Sequence, residues 1–327
     1  MTMTMTTAEF LATLRERDVR LWAEGGRLKC DAPPGALDDE LREQLVARKH
    51  ELLGLVSGVE ASLAAPRSLV PLKPTGDQPP LFARPGHNGD VFCYRPLADH
   101  LDERRPLYGI EPKGLDGSPV PGTIEEMAAY EVEQIRAFQP EGPYFLAGYC
   151  AGGSITFETA RQLSDSGAEV ARVIMFGAPF PTTYRVGGVR AQVRSLSQRG
   201  RMHATRLRGA SVAQSFSYLG ARANARAERV TERYDPAFAD RRRVEEATVA
   251  AVKLYDPRPY AGRIDMFLPN EAWRHSGDRP DDWRPVSGMV VEHIGPDECD
   301  GDTMLLEPYV QALADMLNPS LDEEKGG

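Results

Sequence analysis

The stretch Tyr144-Phe145-Leu146-Ala147-Gly148-Tyr149-Cys150-Ala151-Gly152-Gly153 constrains this chain more than any other. An apolar run of strand type enters Gly-x-Cys-x-Gly-Gly, and a helical pattern from Ser154 to Gly167 leaves it. Strand, tight turn and helix in that order form a nucleophile elbow, in which one side chain is held on a strained turn and small neighbours let strand and helix approach it. Cys150 is then the candidate nucleophile, with Gly148 and Gly152 as the elbow glycines. Its sulfur would stand over the N-terminus of the following helix, whose dipole favours thiolate over thiol. The backbone N–H of Ala151 would face any oxyanion formed on an attacked carbonyl. A plainer reading also fits the string: a buried, inert cysteine in a glycine-rich turn.

The surroundings favour an α/β sheet with parallel strands. Strand-like runs at Leu81–Ala83, Pro106–Ile110, Tyr144–Gly148, Val170–Phe176, Arg263–Leu268 and Met289–Ile294 alternate with helical ones at Thr123–Phe138 and Ser154–Gly167. The turn after the first of these, Arg84-Pro85-Gly86-His87-Asn88-Gly89-Asp90, supplies a second oxyanion donor around Gly86. Residues 183–250 interrupt the alternation where a helical lid insertion would sit. Residues 58–79 hold Pro66, Pro71, Pro74 and Pro79 and read as a linker. Residues 1–57 read as a small helix-hairpin-helix unit: Phe10, Leu11 and Leu14 share a helix face, Val19–Glu24 and Arg27–Cys30 flank a Gly25-Gly26 turn, and Asp38 caps a second helix. The main domain is expected over 80–320, with a tail at 321–327.

Charge and cysteine content narrow the function. Four cysteines among 327 residues lack the spacing of a metal site or a disulfide scaffold, so no metal is expected. No run of eighteen apolar residues occurs and the Met-Thr start has no signal-peptide pattern, so the expectation is a cytoplasmic protein without a membrane partner. A net charge of −9 argues against nucleic acid as a partner. That total conceals an asymmetry: Arg185 to Arg243 carries 14 Arg, no Lys and 4 acids, a local +10 against −19 elsewhere. Such a segment suits an anionic partner, or else it is a set of amphipathic helices with solvated arginines.

Two resemblances follow from these residues. The stretch Val19-Arg20-Leu21-Trp22-Ala23-Glu24-Gly25, with Arg27-Leu28, Ala32-Pro33 and Gly35-Ala36-Leu37, resembles the N-terminal docking domain of tubulysin-type megasynthase subunits. The resemblance implies capture of a short segment of a partner synthetase subunit by strand addition. The stretch Phe92-Cys93-Tyr94-Arg95-Pro96-Leu97, the elbow, Tyr255-Asp256-Pro257-Arg258-Pro259-Tyr260-Ala261-Gly262 and Thr303-Met304-Leu305-Leu306-Glu307-Pro308 together resemble thioesterase domains of nonribosomal peptide and polyketide synthetases. This second resemblance implies an α/β-hydrolase fold acting on thioesters presented on the phosphopantetheine of acyl or peptidyl carrier proteins, with no cofactor of its own.

The family's acid position, after Val173-Ile174-Met175-Phe176, is Gly177 here, and its base position is Gly301. Among six histidines, His293 and His87 are the candidates for a recruited base. Without a base, hydrolysis of an acyl-enzyme loses about 10²–10⁴-fold, whereas thiol–thioester exchange is less demanding because cysteine is already partly thiolate. The expected activity is transfer of an acyl or aminoacyl group between carriers through a Cys150 thioester. The alternatives are a thioesterase that hydrolyses or cyclises its cargo and a silent carrier-docking protein.

Overall fold

The computed structural model of the chain describes residues 7–17, 19–24, 27–33, 35–49, 51–53, 55, 66–185, 238–274 and 282–322. Near the N-terminus, α1 (Thr7–Glu16) buries Phe10 and Leu14. The antiparallel strands β1 (Arg20–Glu24) and β2 (Arg27–Asp31) pair Arg20 with Asp31 and Glu24 with Arg27; the expected Gly25-Gly26 turn lies outside the described residues. The Asp38 carboxylate accepts the Leu41 N–H at 2.9 Å and caps α2 (Asp39–Ala47), as the sequence suggests. Phe10, Leu14, Val19, Leu41 and Leu52 close one small apolar core.

The larger sheet contains seven strands in the order β3-β5-β4-β6-β7-β8-β9. They are β3 (Leu69–Lys73), β4 (Leu81–Arg84), β5 (Leu107–Ile110), β6 (Tyr144–Tyr149), β7 (Val170–Phe176), β8 (Tyr260–Leu268) and β9 (Ser287–Ile294). All pairings are parallel except β3 with β5. Successive side chains of β6 enter opposite cores: Tyr144 and Leu146 on one face, Phe145 and Ala147 on the other. That explains the continuous apolar runs, since a parallel strand covered on both faces has no polar side to alternate with.

Helices α3 (Arg95–His100), α4 (Ile124–Phe138), α5 (Gly152–Asp165), α6 (Pro181–Arg185), α7 (Ala239–Leu254), α8 (Glu271–Arg274) and α9 (Tyr309–Asp322) accompany this sheet. Thr123 caps α4 by accepting the Glu126 N–H at 3.2 Å. From the middle of α4, Glu131 reaches Arg84 at the end of β4 at 2.8 Å, both fully buried, and takes a second hydrogen bond from Thr159 of α5 at 3.0 Å. The turn that follows β4 therefore starts from an anchored residue.

Two boundaries need correction. The stretch 58–79 is not all linker, because Leu69–Lys73 forms the antiparallel edge strand β3. Pro71 lies on that strand, where the missing N–H is tolerated because an edge strand need pair on only one side. At the other end α9 runs through Leu321, which is buried, to Asp322, so the tail begins later than 321. Most of the expected lid, residues 186–237, lies outside the described residues; α6 and α7 flank it.

Candidate active site

Cys150 has φ +51° and is the sole non-glycine residue with positive φ among the described residues. Strain of this kind costs of order 1–3 kcal/mol and persists only where neighbours enforce it. They do so from two sides. A Cβ on Gly148 would lie 2.5 Å from Thr156 Oγ1 and 2.8 Å from the Gly153 Cα, and one on Gly152 would lie 2.2 Å from the Pro85 carbonyl oxygen. The Cys150 N–H donates to the Phe176 carbonyl at 3.0 Å, which ties the turn to the end of β7. Ala151 is buried immediately before α5, and Gly86 packs beside Tyr149 and Cys150, with room for a Cβ 3.7 Å from that of Cys150. The fold thus brings Cys150, Ala151, Gly86, Gly148 and Gly152 together.

It also brings His87 there. Hydrogen bonding with Cys150 raises the His87 pKa above its ordinary value against the opposing effect of burial, and the charges of Cys150, Glu245 and Asp302 add to the rise. The His87 Nε2 lies 3.5 Å from Glu245 Oε1 on α7, both side chains about half exposed. From α6, the Tyr184 hydroxyl stands 3.7 Å from the Cys150 sulfur. Sequence reading missed Tyr184 and Glu245. Tyr184 sits just past the strand β7, and Glu245 lies within Asp240-Arg241-Arg242-Arg243-Val244-Glu245-Glu246, which reads as a solvated face.

The two positions where the family would carry its acid and base, Gly177 and Gly301, line the same cleft. The Tyr149 hydroxyl donates to the Gly301 carbonyl at 2.5 Å, and the Trp273 ring covers Gly301, 3.5 Å from where its Cβ would be. An indole therefore occupies space beside the empty base position. His293 is not brought to Cys150. It lies opposite Phe267 on β8, whose neighbour is Phe176 on β7 and then Tyr149 on β6. Three strand spacings of about 4.8 Å put it roughly 14 Å away. Its imidazole stacks on Phe267, with ring centroids 4.5 Å apart, and meets the fully buried Asp265 at 2.9 Å, where Arg263 also bonds at 2.7 Å. Burial pushes the Asp265 pKa up, but the hydrogen bonds from His293 and Arg263 outweigh it and hold the carboxyl below its ordinary value.

An α/β-hydrolase fold with a cysteine on its strained strand–turn–helix elbow is the class these features define. Residues 79–319 match the thioesterase domain family, and the chain belongs to it. Residues 8–57 match the TubC N-terminal docking domain. A dimodular nonribosomal peptide synthase of Bacillus subtilis (strain 168) is 37% identical over 157 residues, which is 42% of this chain and 7% of that protein. Indigoidine synthase of Dickeya dadantii (strain 3937) is 41% identical over 114 residues, 35% of this chain and 8% of that protein. The chain thus spans less than a tenth of either relative. Among solved structures, the four-domain nonribosomal peptide synthetase AB3403 superimposes with a TM-score of 0.61 at 25% identity, covering 80% of this chain and 20% of that one. The NocB thioesterase domain superimposes with a TM-score of 0.58 at 21% identity, covering 79% of this chain and all of that domain. Both resemblances read from the sequence, and the α/β-hydrolase fold, are borne out. Among the described residues, no helix is long and apolar enough to cross a membrane.

Proposed function

We propose that the protein takes an acyl or aminoacyl group from the phosphopantetheine thiol of one carrier protein onto Cys150 and passes it to the thiol of another. His87 accepts the Cys150 proton as the sulfur attacks the thioester carbonyl. The oxyanion is held by backbone N–H groups at Ala151 and around Gly86. As the tetrahedral intermediate collapses, the C–S bond to the carrier breaks and the departing thiolate takes the proton from His87. The second carrier's thiol runs the same steps in reverse, and the exchange of one thioester for another is nearly thermoneutral.

The observation that carries this reading is a cysteine on a strained elbow, with the His87 imidazole lining the same cleft and glycine at both Gly177 and Gly301. An acceptor thiol is already partly ionised near neutral pH and makes a modest demand on one half-exposed imidazole, whereas water must be deprotonated as it attacks. The docking-domain match supports tethering to a synthetase subunit, which raises the local concentration of its carriers. Arg241, Arg242 and Lys253 line the cleft and suit a phosphopantetheine phosphate. A cytoplasmic setting accords with such carriers.

The position of His87 also favours a second reading, a thioesterase that hydrolyses or cyclises its cargo with His87 as base. Incubation with an acyl-loaded carrier and a second, empty carrier separates the two, read by mass spectrometry of both carriers and of the peptide containing Cys150. Transfer gives a Cys150 adduct discharged to the second carrier. Free acid or a cyclised product in place of the loaded second carrier overturns the transfer reading, and absence of any adduct points to a carrier-docking scaffold. The Cys93 thiol is no competitor, because burial pushes its pKa to about 12.

A further inference from the structure

We infer that Glu245 is a positioning residue for His87, its carboxylate orienting the imidazole that serves Cys150. The inference rests on the reading of His87 as proton carrier and extends it to a helix at the end of the expected lid. Glu245 comes within 3.5 Å of the His87 Nε2 because of how α7 is fixed. Val244, Thr248, Ala251 and Val252 are buried on one side of that helix, and Val244 also lies 3.7 Å from where a Cβ of Gly89 would be, two residues beyond His87. With the buried stripe set, the helical period turns Arg241, Glu245, Val249 and Lys253 toward the cleft, each four residues from the last. The β4 turn and α7 therefore share a contact that holds imidazole and carboxylate in register.

The chemistry follows from the two ring nitrogens. A carboxylate facing Nε2 holds the proton on that nitrogen and leaves the other one basic, free to take a proton from sulfur. It also stabilises the imidazolium that forms when Cys150 becomes thiolate. Asp302, in the loop after β9, raises the His87 pKa through space, and Arg241 and Arg242 flank Glu245 on the cleft wall. Of these groups, Glu245 is the one at ion-pair distance.

Ring nitrogen NMR of the full chain labelled with [15N]histidine tests the assignment, with His87→Ala identifying the resonance. Relative to the wild type, Cys150→Ser should move the His87 titration, since hydrogen bonding with Cys150 is the largest cause of its raised pKa. Glu245→Gln should lower the His87 pKa by about half a unit, the size expected of a half-exposed ion pair. Glu245→Asp should recover part of that shift. If Cys150→Ser moves the titration while Glu245→Gln leaves both the pKa and the tautomer unchanged, the role assigned to Glu245 is overturned and that of His87 stands. If Cys150→Ser has no effect, the coupling to His87 fails and the inference falls with it.

Discussion

Replacing Gly152 by alanine would place a methyl carbon 2.2 Å from the Pro85 carbonyl oxygen and 3.1 Å from the carbonyl oxygen and Cγ of Arg84. Non-bonded carbon and oxygen settle at about 3.3–3.6 Å, so the shortfall is roughly 1 Å. Because the obstacle is main chain at the end of β4, no change of rotamer relieves it. Either α5 backs away, or the turn carrying Gly86 and His87 does. Overpacking costs about 1–3 kcal/mol, and a backbone obstacle belongs at the upper end. Alanine returns about 0.5–1 kcal/mol through its lower unfolded-chain entropy, which leaves a net loss of about 2 kcal/mol. The functional effect should be larger, since a displacement of about 1 Å between reacting groups can cost about 10²-fold in rate. Urea unfolding followed by tryptophan fluorescence reads the first quantity, and the rate of acyl loading onto Cys150 reads the second. Gly122→Ala is the control, because its Cβ would meet nothing closer than Glu126 Oε2 at 3.8 Å. If Gly152→Ala behaves like Gly122→Ala in both assays, the close approach of elbow and β4 turn does not govern the site.

Three further outcomes are expected. His87→Ala should slow Cys150 loading by about 10²-fold, the lower end of what a general base contributes because cysteine is already partly ionised; stopped-flow loading with a fluorescent acyl carrier measures it, and an unchanged rate removes His87 from the mechanism. His293→Gln should leave loading intact and cost about 1–2 kcal/mol in urea unfolding through the lost bond to a buried carboxylate. Asp265→Asn should cost about 3 kcal/mol at neutral pH by breaking a buried charge cluster. The Asp265 pKa lies below the ordinary 3.8 in the folded chain, so its contribution is complete above that value and disappears as pH falls through the folded-state pKa. The stability gap to wild type must therefore close only below pH 3.8, and a gap independent of pH refutes the assignment.

Local signals carried most of the fold. Each strand read from apolar runs between Leu81 and Ile294 is present, and the elbow has the backbone that Gly-x-Cys-x-Gly-Gly implies, because both depend on neighbours in sequence. β3 was missed since Pro71 and Pro74 suppress any strand signal, and only the pairing with β5 reveals that an edge position tolerates the first of them. The site partners were less legible. His87 and His293 were equal candidates on sequence, separated by register alone: one follows β4, beside the elbow, and the other sits three strands away. Glu245 reaches the cleft through the rotational setting of α7, which depends on what Val244 and Val252 pack against. No local pattern encodes that.

The squeeze from Thr156, Gly153 and Pro85 acts on main chain and never on the atom at the tip of residue 150. The elbow is in that sense a socket: its shape is paid for by the scaffold, and the reactive head it presents can be exchanged by one codon with little structural consequence. A lineage built this way can alter what becomes of a tethered cargo long before it alters its architecture.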